Sequence, residues 1–152
     1  MTDFTWDLPN PFTASIRVSP DDIDRLGHTN NQVYLRWLED VSWRHVEQLG
    51  FGWEAYEHFG CAMAIRRMEV DYLNACYADD ELIIGTWITG CDGRLCSDRR
   101  FQLIRVRDGR TMLRAKVFYA CIDLKTGRPR RMPREYVAFH EQALVSDAAI
   151  SS

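Results

Sequence analysis

Asp21-Asp22-Ile23-Asp24-Arg25-Leu26-Gly27-His28-Thr29-Asn30-Asn31-Gln32-Val33-Tyr34 runs without a break into an amphipathic repeat. Val33, Tyr34, Trp37, Leu38, Val41, Val46 and Leu49 recur at about the 3.6-residue period of a helix, and Gly50 is its stop. Asn30, or Thr29 before it, is the expected N-cap, because a short side-chain oxygen accepts a hydrogen bond from a first-turn N–H. A carboxylate, a glycine, an imidazole and two asparagines therefore precede a helix N-terminus. Free amides and the helix dipole favour developing negative charge there, which is the layout of a site that stabilises an oxyanion. Composition alone does not choose among Asp21, Asp22 and Asp24.

Working outward, residues 12–18 read as a strand before the motif, and 51–60 as an aromatic-rich segment with one helical turn and a loop. Residues 61–76 contain β-rich, alternating stretches with Met68, Val70 and Tyr72 on one side and Glu69, Asp71 and Leu73 on the other. Three more strand-like runs, 81–89, 95–106 and 111–124, are separated by Asp92-Gly93-Arg94 and Asp108-Gly109-Arg110, both strong hairpin signals. The expected order is strand, site loop, long helix, then four strands in a meander. This is an α+β domain with one antiparallel sheet wrapped on a single main helix. It is expected to occupy residues 1–140, with 141–152 as a disordered tail.

At 152 residues, 46% hydrophobic and 27% charged, the chain has the size and composition of one ordinary globular domain. A net charge of -3 gives no general reason to expect nucleic acid or an anionic membrane as a partner. No run approaches the roughly 18 apolar residues of a membrane span, and the first residues carry no targeting signature, so the expected location is the cytoplasm. The five cysteines are odd in number and include no C-x-x-C pair. They read as reduced core thiols, although Cys91 and Cys96 flank a turn and are placed to meet across it. His28, His45, His58 and His140 do not pair at ligand spacing, and no metal site is expected.

The motif and the element order resemble the hotdog-fold acyl-CoA thioesterases, specifically the 4-hydroxybenzoyl-CoA thioesterase-like group. Asp24, Gly27, Asn31, Tyr34 and Trp37 are similar to that group's D-x-x-G-x-x-x-x-x-x-Y-x-x-W signature. Arg66-Arg67-Met68-Glu69-Val70-Asp71-Tyr72, followed by Asp79-Asp80-Glu81-Leu82, is similar to its interface strand and the start of its meander. The resemblance covers about residues 12–140. It implies a hotdog fold, one long helix wrapped by a five-stranded antiparallel sheet, assembled as a homodimer or homotetramer with sites at the dimer interface. It also implies hydrolysis of an acyl-CoA thioester to a carboxylic acid and free CoA, with no cofactor beyond the coenzyme A of the substrate.

By this resemblance Asp24 is the catalytic nucleophile or general base, and the backbone N–H of Asn31 is the oxyanion donor. His28, four residues after Asp24, orients water or thioester, or else simply binds backbone. Gly27 and Tyr34 fall to the substrate site, Tyr34 with core packing as its stronger alternative. Arg66 and Arg67, together with Arg128 and Arg130 in the basic segment 125–134, are suited to the phosphates of CoA. Glu39 is a second carboxylate on the helix, where some hotdog enzymes carry theirs. The nearest alternative is an acyl-carrier-protein thioesterase, with the carrier protein docking on the same basic loop. A non-catalytic acyl-thioester-binding hotdog protein is the other.

Overall fold

The computed structural model describes residues 3–147. Its elements are β1 (Phe12–Arg17), α1 (Asn31–Gln48), α2 (Trp53–Phe59), β2 (Cys61–Tyr72), β3 (Glu81–Cys91), β4 (Cys96–Arg105), β5 (Thr111–Asp123) and α3 (Arg134–Ala143). The five strands form one antiparallel sheet in the order β1-β3-β4-β5-β2. Its inner face packs on α1 through Tyr34, Trp37, Leu38 and Val41, against Leu82, Ile84, Phe101, Leu103 and Val117. The wrapped helix and five-stranded sheet match the expected hotdog arrangement.

Asn30 is the N-cap of α1, its Oδ1 accepting from the Gln32 N–H at 2.9 Å. Both Asp-Gly turns form. Asp92 Oδ1 accepts from the N–H groups of Arg94, Leu95 and Cys96, and Arg105 pairs with Asp108 at 2.6 Å. All five cysteines are free thiols.

Three expectations are corrected. The meander has three strands, β3-β4-β5, because β2 pairs with β5 at the far edge of the sheet. Residues 73–80 between β2 and β3 lack a tight-turn signal and cross the sheet end, where the Leu73 and Asn74 amides bond to Met112 O. Two short helices accompany the long one. The tail, finally, is structured as far as it is described. α3 continues to Ala143, Val145 N–H donates to Ile88 O at 2.9 Å, and Asp147 pairs with Arg100 and Lys116. Residues 148–152 of the expected tail lie outside the described residues. α2, α3 and the adjoining sheet end close a second core around Tyr56, Ile88, Tyr136 and Phe139.

Candidate active site

The loop before α1 is held by its own backbone. Asp24 N–H donates to His28 O at 3.0 Å, Gly27 N–H donates to Asp24 O at 3.1 Å, and Thr29 N–H reaches Cys76 O at 2.8 Å. The turn needs a left-handed residue, and Gly27 supplies it at φ 85°, with open space where a Cβ would stand. These bonds fix the backbone of Asp24, whose half-buried carboxylate accepts from the Leu26 N–H at 2.8 Å.

The three neighbouring aspartates are now distinguishable. Asp22 is buried, accepts from the Ser19 N–H and pairs with Arg36 at 3.1 Å, so its charge is committed to the fold. Asp21 is exposed on a 3-10 turn. Asp24 remains as the carboxylate beside the helix start. The Asn31 N–H, at the first position of α1, has no acceptor among the described residues. An open amide and a carboxylate seven residues earlier thus stand at one helix N-terminus.

Along one flank of α1 runs a groove of about 630 Å³, walled on its other side by the inner face of the sheet. Gln32, Leu35, Glu39, Ser42, Trp43 and Val46 form its helix wall. This is a second stripe at helical spacing, offset from the core stripe, and it extends roughly 21 Å from Gln32 to Val46 at 1.5 Å per residue. Met63, Met68, Ile88, Phe101 and Val117 make its interior mainly apolar. The Gln32 end lies one residue from Asn31, and Arg36, which bonds to Asp22, also lines it.

Polar groups gather toward the other end. Arg99 is 4% exposed, and its Nη1 donates to His45 Nδ1 at 2.8 Å and to Thr86 Oγ1 at 3.2 Å. A guanidinium only donates, so His45 Nδ1 must be the acceptor. Burial, and then the charge of Arg99, pull the His45 pKa down to about 4. His140 bonds through Nδ1 to the Tyr136 carbonyl at 2.6 Å, and burial likewise lowers it to about 4. Both imidazoles are therefore neutral near pH 7 beside a buried cation. Burial also pushes the Tyr56 hydroxyl up to about 12, which keeps it a neutral donor.

The remaining site expectations fall in several places. His28 stands edge-on to Tyr77 with ring centroids 6.5 Å apart. Tyr34 is buried, its oxygen accepting from the Cys76 N–H at 3.2 Å, and it packs on Trp37 rather than lining the groove. Arg66 and Arg67 are exposed on β2, where Arg66 reaches Cys96 Sγ at 3.4 Å and Arg67 pairs with Glu69 at 2.6 Å. Arg130 ties Gly60 O and Asp123 together, and Arg128 is exposed. The segment 125–134 follows the Asp123 end of β5, whereas the Asp24 loop sits by the Thr111 end through Cys76 and Asn74. Those ends are a strand's length apart, roughly 40 Å at 3.3 Å per residue. Within one chain Asp24 lies on the loop that leads into the helix start at Asn31, while Arg128 and Arg130 do not join them. Sequence reading assigned Arg36 and His45 to an ordinary solvated face and passed over Arg99. The signal for Arg99 was its alternation with Ser97 and Phe101 on an inward-facing strand, which is visible only once the strand's register is known.

The family model described as thioesterase-like superfamily matches residues 18–140. The acyl-CoA thioesterase YbgC of Haemophilus influenzae is 27% identical over 135 residues, covering 88% of this chain and 97% of the relative. Among solved structures, the probable thioesterase YbaW of Escherichia coli superposes with a TM-score of 0.77 at 22% identity, covering 88% of this chain and 98% of that one. A Staphylococcus aureus protein solved in complex with CoA superposes with a TM-score of 0.78 at 18% identity, covering 90% and 87%.

Proposed function

We infer, for a chain that belongs to the thioesterase-like superfamily, that it hydrolyses acyl-CoA thioesters to a carboxylic acid and free CoA at the Asp24 loop. One observation carries the reading: a backbone-fixed carboxylate precedes a helix N-terminus that has an unengaged amide, and an apolar groove long enough for an acyl chain begins at Gln32, the next residue of that helix. The names of the similar proteins supply the CoA ester. In this reading the thioester carbonyl oxygen takes the Asn31 N–H as its charge develops, which the helix dipole assists. The Asp24 carboxylate either attacks the carbonyl carbon or removes a proton from the attacking water, and the CoA thiolate leaves. His28 and Gly27 shape the loop, and no bound cofactor takes part.

The basic segment finds its place in an assembly. β2 is an open sheet edge, and Ile65 and Tyr72 on it are 47% and 45% exposed. A free edge of this length favours pairing with a second copy. Antiparallel pairing of two β2 strands about a two-fold axis carries the segment 125–134 of each copy toward the Asp24 loop of the other, where Arg128 and Arg130 meet the CoA phosphates, with Arg66 and Arg67 along the seam. The expected assembly is a homodimer, or a homotetramer made of two. Light scattering should give two or four times 17.7 kDa, and a monomer would remove this role for the basic segment.

An acyl carrier protein, whose phosphopantetheine arm carries the same thioester, would use the same basic surface. The two readings separate in one assay that offers one acyl group on CoA and on carrier protein. Thiol release is expected from the CoA ester at the higher kcat/KM. Release from the carrier protein alone would shift the substrate, and release from neither would overturn the hydrolase reading.

A further inference from the structure

The polar end of the groove holds a charge that hydrolysis does not use. Arg99 lies on β4, on the strand face that carries Phe101 into the core, and its buried guanidinium lines the cavity. Burying a cation is costly unless an anion meets it. Here Nη1 donates to two neutral acceptors, His45 Nδ1 and Thr86 Oγ1, and the guanidinium also hydrogen-bonds the Tyr119 hydroxyl. The other group that bears on it is the hydroxyl of Tyr56, and no carboxylate does so among the described residues. Glu39, on the helix wall, is exposed, and Asp98 turns its Oδ1 to the Thr89 hydroxyl at 2.6 Å. The guanidinium fork offers five N–H donors, only some of which are engaged.

We propose that Arg99 is the anchor for a carboxylate at the far end of the acyl chain, so that the preferred substrates are CoA esters of long dicarboxylic acids joined through one end. The proposal rests on the thioesterase reading and adds the substrate class. The geometry sets the length as well as the charge. His45, which holds Arg99, lies fourteen residues beyond Asn31 on α1, roughly 21 Å at 1.5 Å per residue. A chain bound with its thioester at Asn31 crosses the apolar interior before its terminal group reaches the guanidinium, a span too long for a benzoyl ring. Two neutral imidazoles and two tyrosine hydroxyls beside the cation leave its charge uncompensated, which suits an anion in bidentate contact. An alkyl terminus would instead meet a desolvated charge that it cannot pair.

The test uses CoA thioethers, which bind without being hydrolysed. A matched pair of long-chain S-alkyl-CoAs, one ending in a methyl and one in a carboxylate, is titrated calorimetrically into the full-length protein. The carboxylate form is expected to bind at least about tenfold tighter, the difference that a hydrogen bond to a charged group supplies. In Arg99→Met the ratio should fall to within about threefold. Arg99→Lys keeps a cation without the fork and should retain an intermediate preference, and it serves as the comparison if Arg99→Met does not fold. Equal binding of the pair by wild type, or a preference undiminished in either variant, overturns the Arg99 assignment alone. Binding of neither thioether overturns the CoA-ester reading beneath it.

Discussion

Asp24→Asn should lower kcat for thioester hydrolysis at least about a hundredfold, close to 2.7 kcal/mol of transition-state stabilisation, while the protein stays folded. Asparagine keeps the side-chain oxygen that accepts from the Leu26 N–H, so the loop has no reason to rearrange. What is lost is the negative charge, and with it both the nucleophile and the base. The comparison that gives this result meaning is Glu39→Gln. Glu39 is the carboxylate on the helix wall of the groove, about two turns along α1 from Asn31, and it is exposed. At that remove from the open amide it should cost less than about tenfold, that is under ~1.4 kcal/mol. If Glu39→Gln is the more damaging change, the carboxylate has been assigned to the wrong element. Kinetics of both variants, each checked by circular dichroism, decide between the two.

The largest effect on stability is expected at Tyr136, on α3, a helix that runs past residue 140, the expected end of the folded domain. Tyr136 is fully buried, touches Phe51, Phe59 and Phe139 at ring-centroid distances of 5.3 to 6.0 Å, and donates to Cys61 O at 2.9 Å. It joins α3 to the first residue of β2 and closes the second core. Tyr136→Ala removes a ring from a packed site and should cost about 3–5 kcal/mol. Tyr136→Phe keeps the ring and leaves one buried carbonyl short of its donor, for about 1–2 kcal/mol. Urea melts of the two variants against wild type measure both. An alanine variant within about 1 kcal/mol of wild type would mean that α3 is an ornament rather than part of the core.

The contrast between α1 and α3 shows what the sequence carries. The long helix was legible because its stripe continues for five turns, its cap is an asparagine and its stop is a glycine. Both Asp-Gly turns were legible for similarly local reasons. α3 has ten residues and buries Tyr136, Phe139 and His140, a signal too short to stand out after a run of arginines and prolines. The place of β2 was hidden because register and edge order come from long-range pairing, which no local pattern encodes. The site divides along the same line. The Asp24-to-Asn31 loop is contiguous and could be read directly. The groove, Arg36 and Arg99 are assembled from α1, α2, β2, β3, β4, β5 and α3, and become a site only when those elements meet.

Hydrolysis is tested most directly by the rate of free-thiol release from a panel of short, medium, long-chain, ω-carboxylated and aromatic acyl-CoAs by the purified wild-type protein. Steady turnover of at least one ester, with free CoA and the carboxylic acid in equal amounts, is the predicted result. Absence of thiol release from every ester in the panel would contradict it.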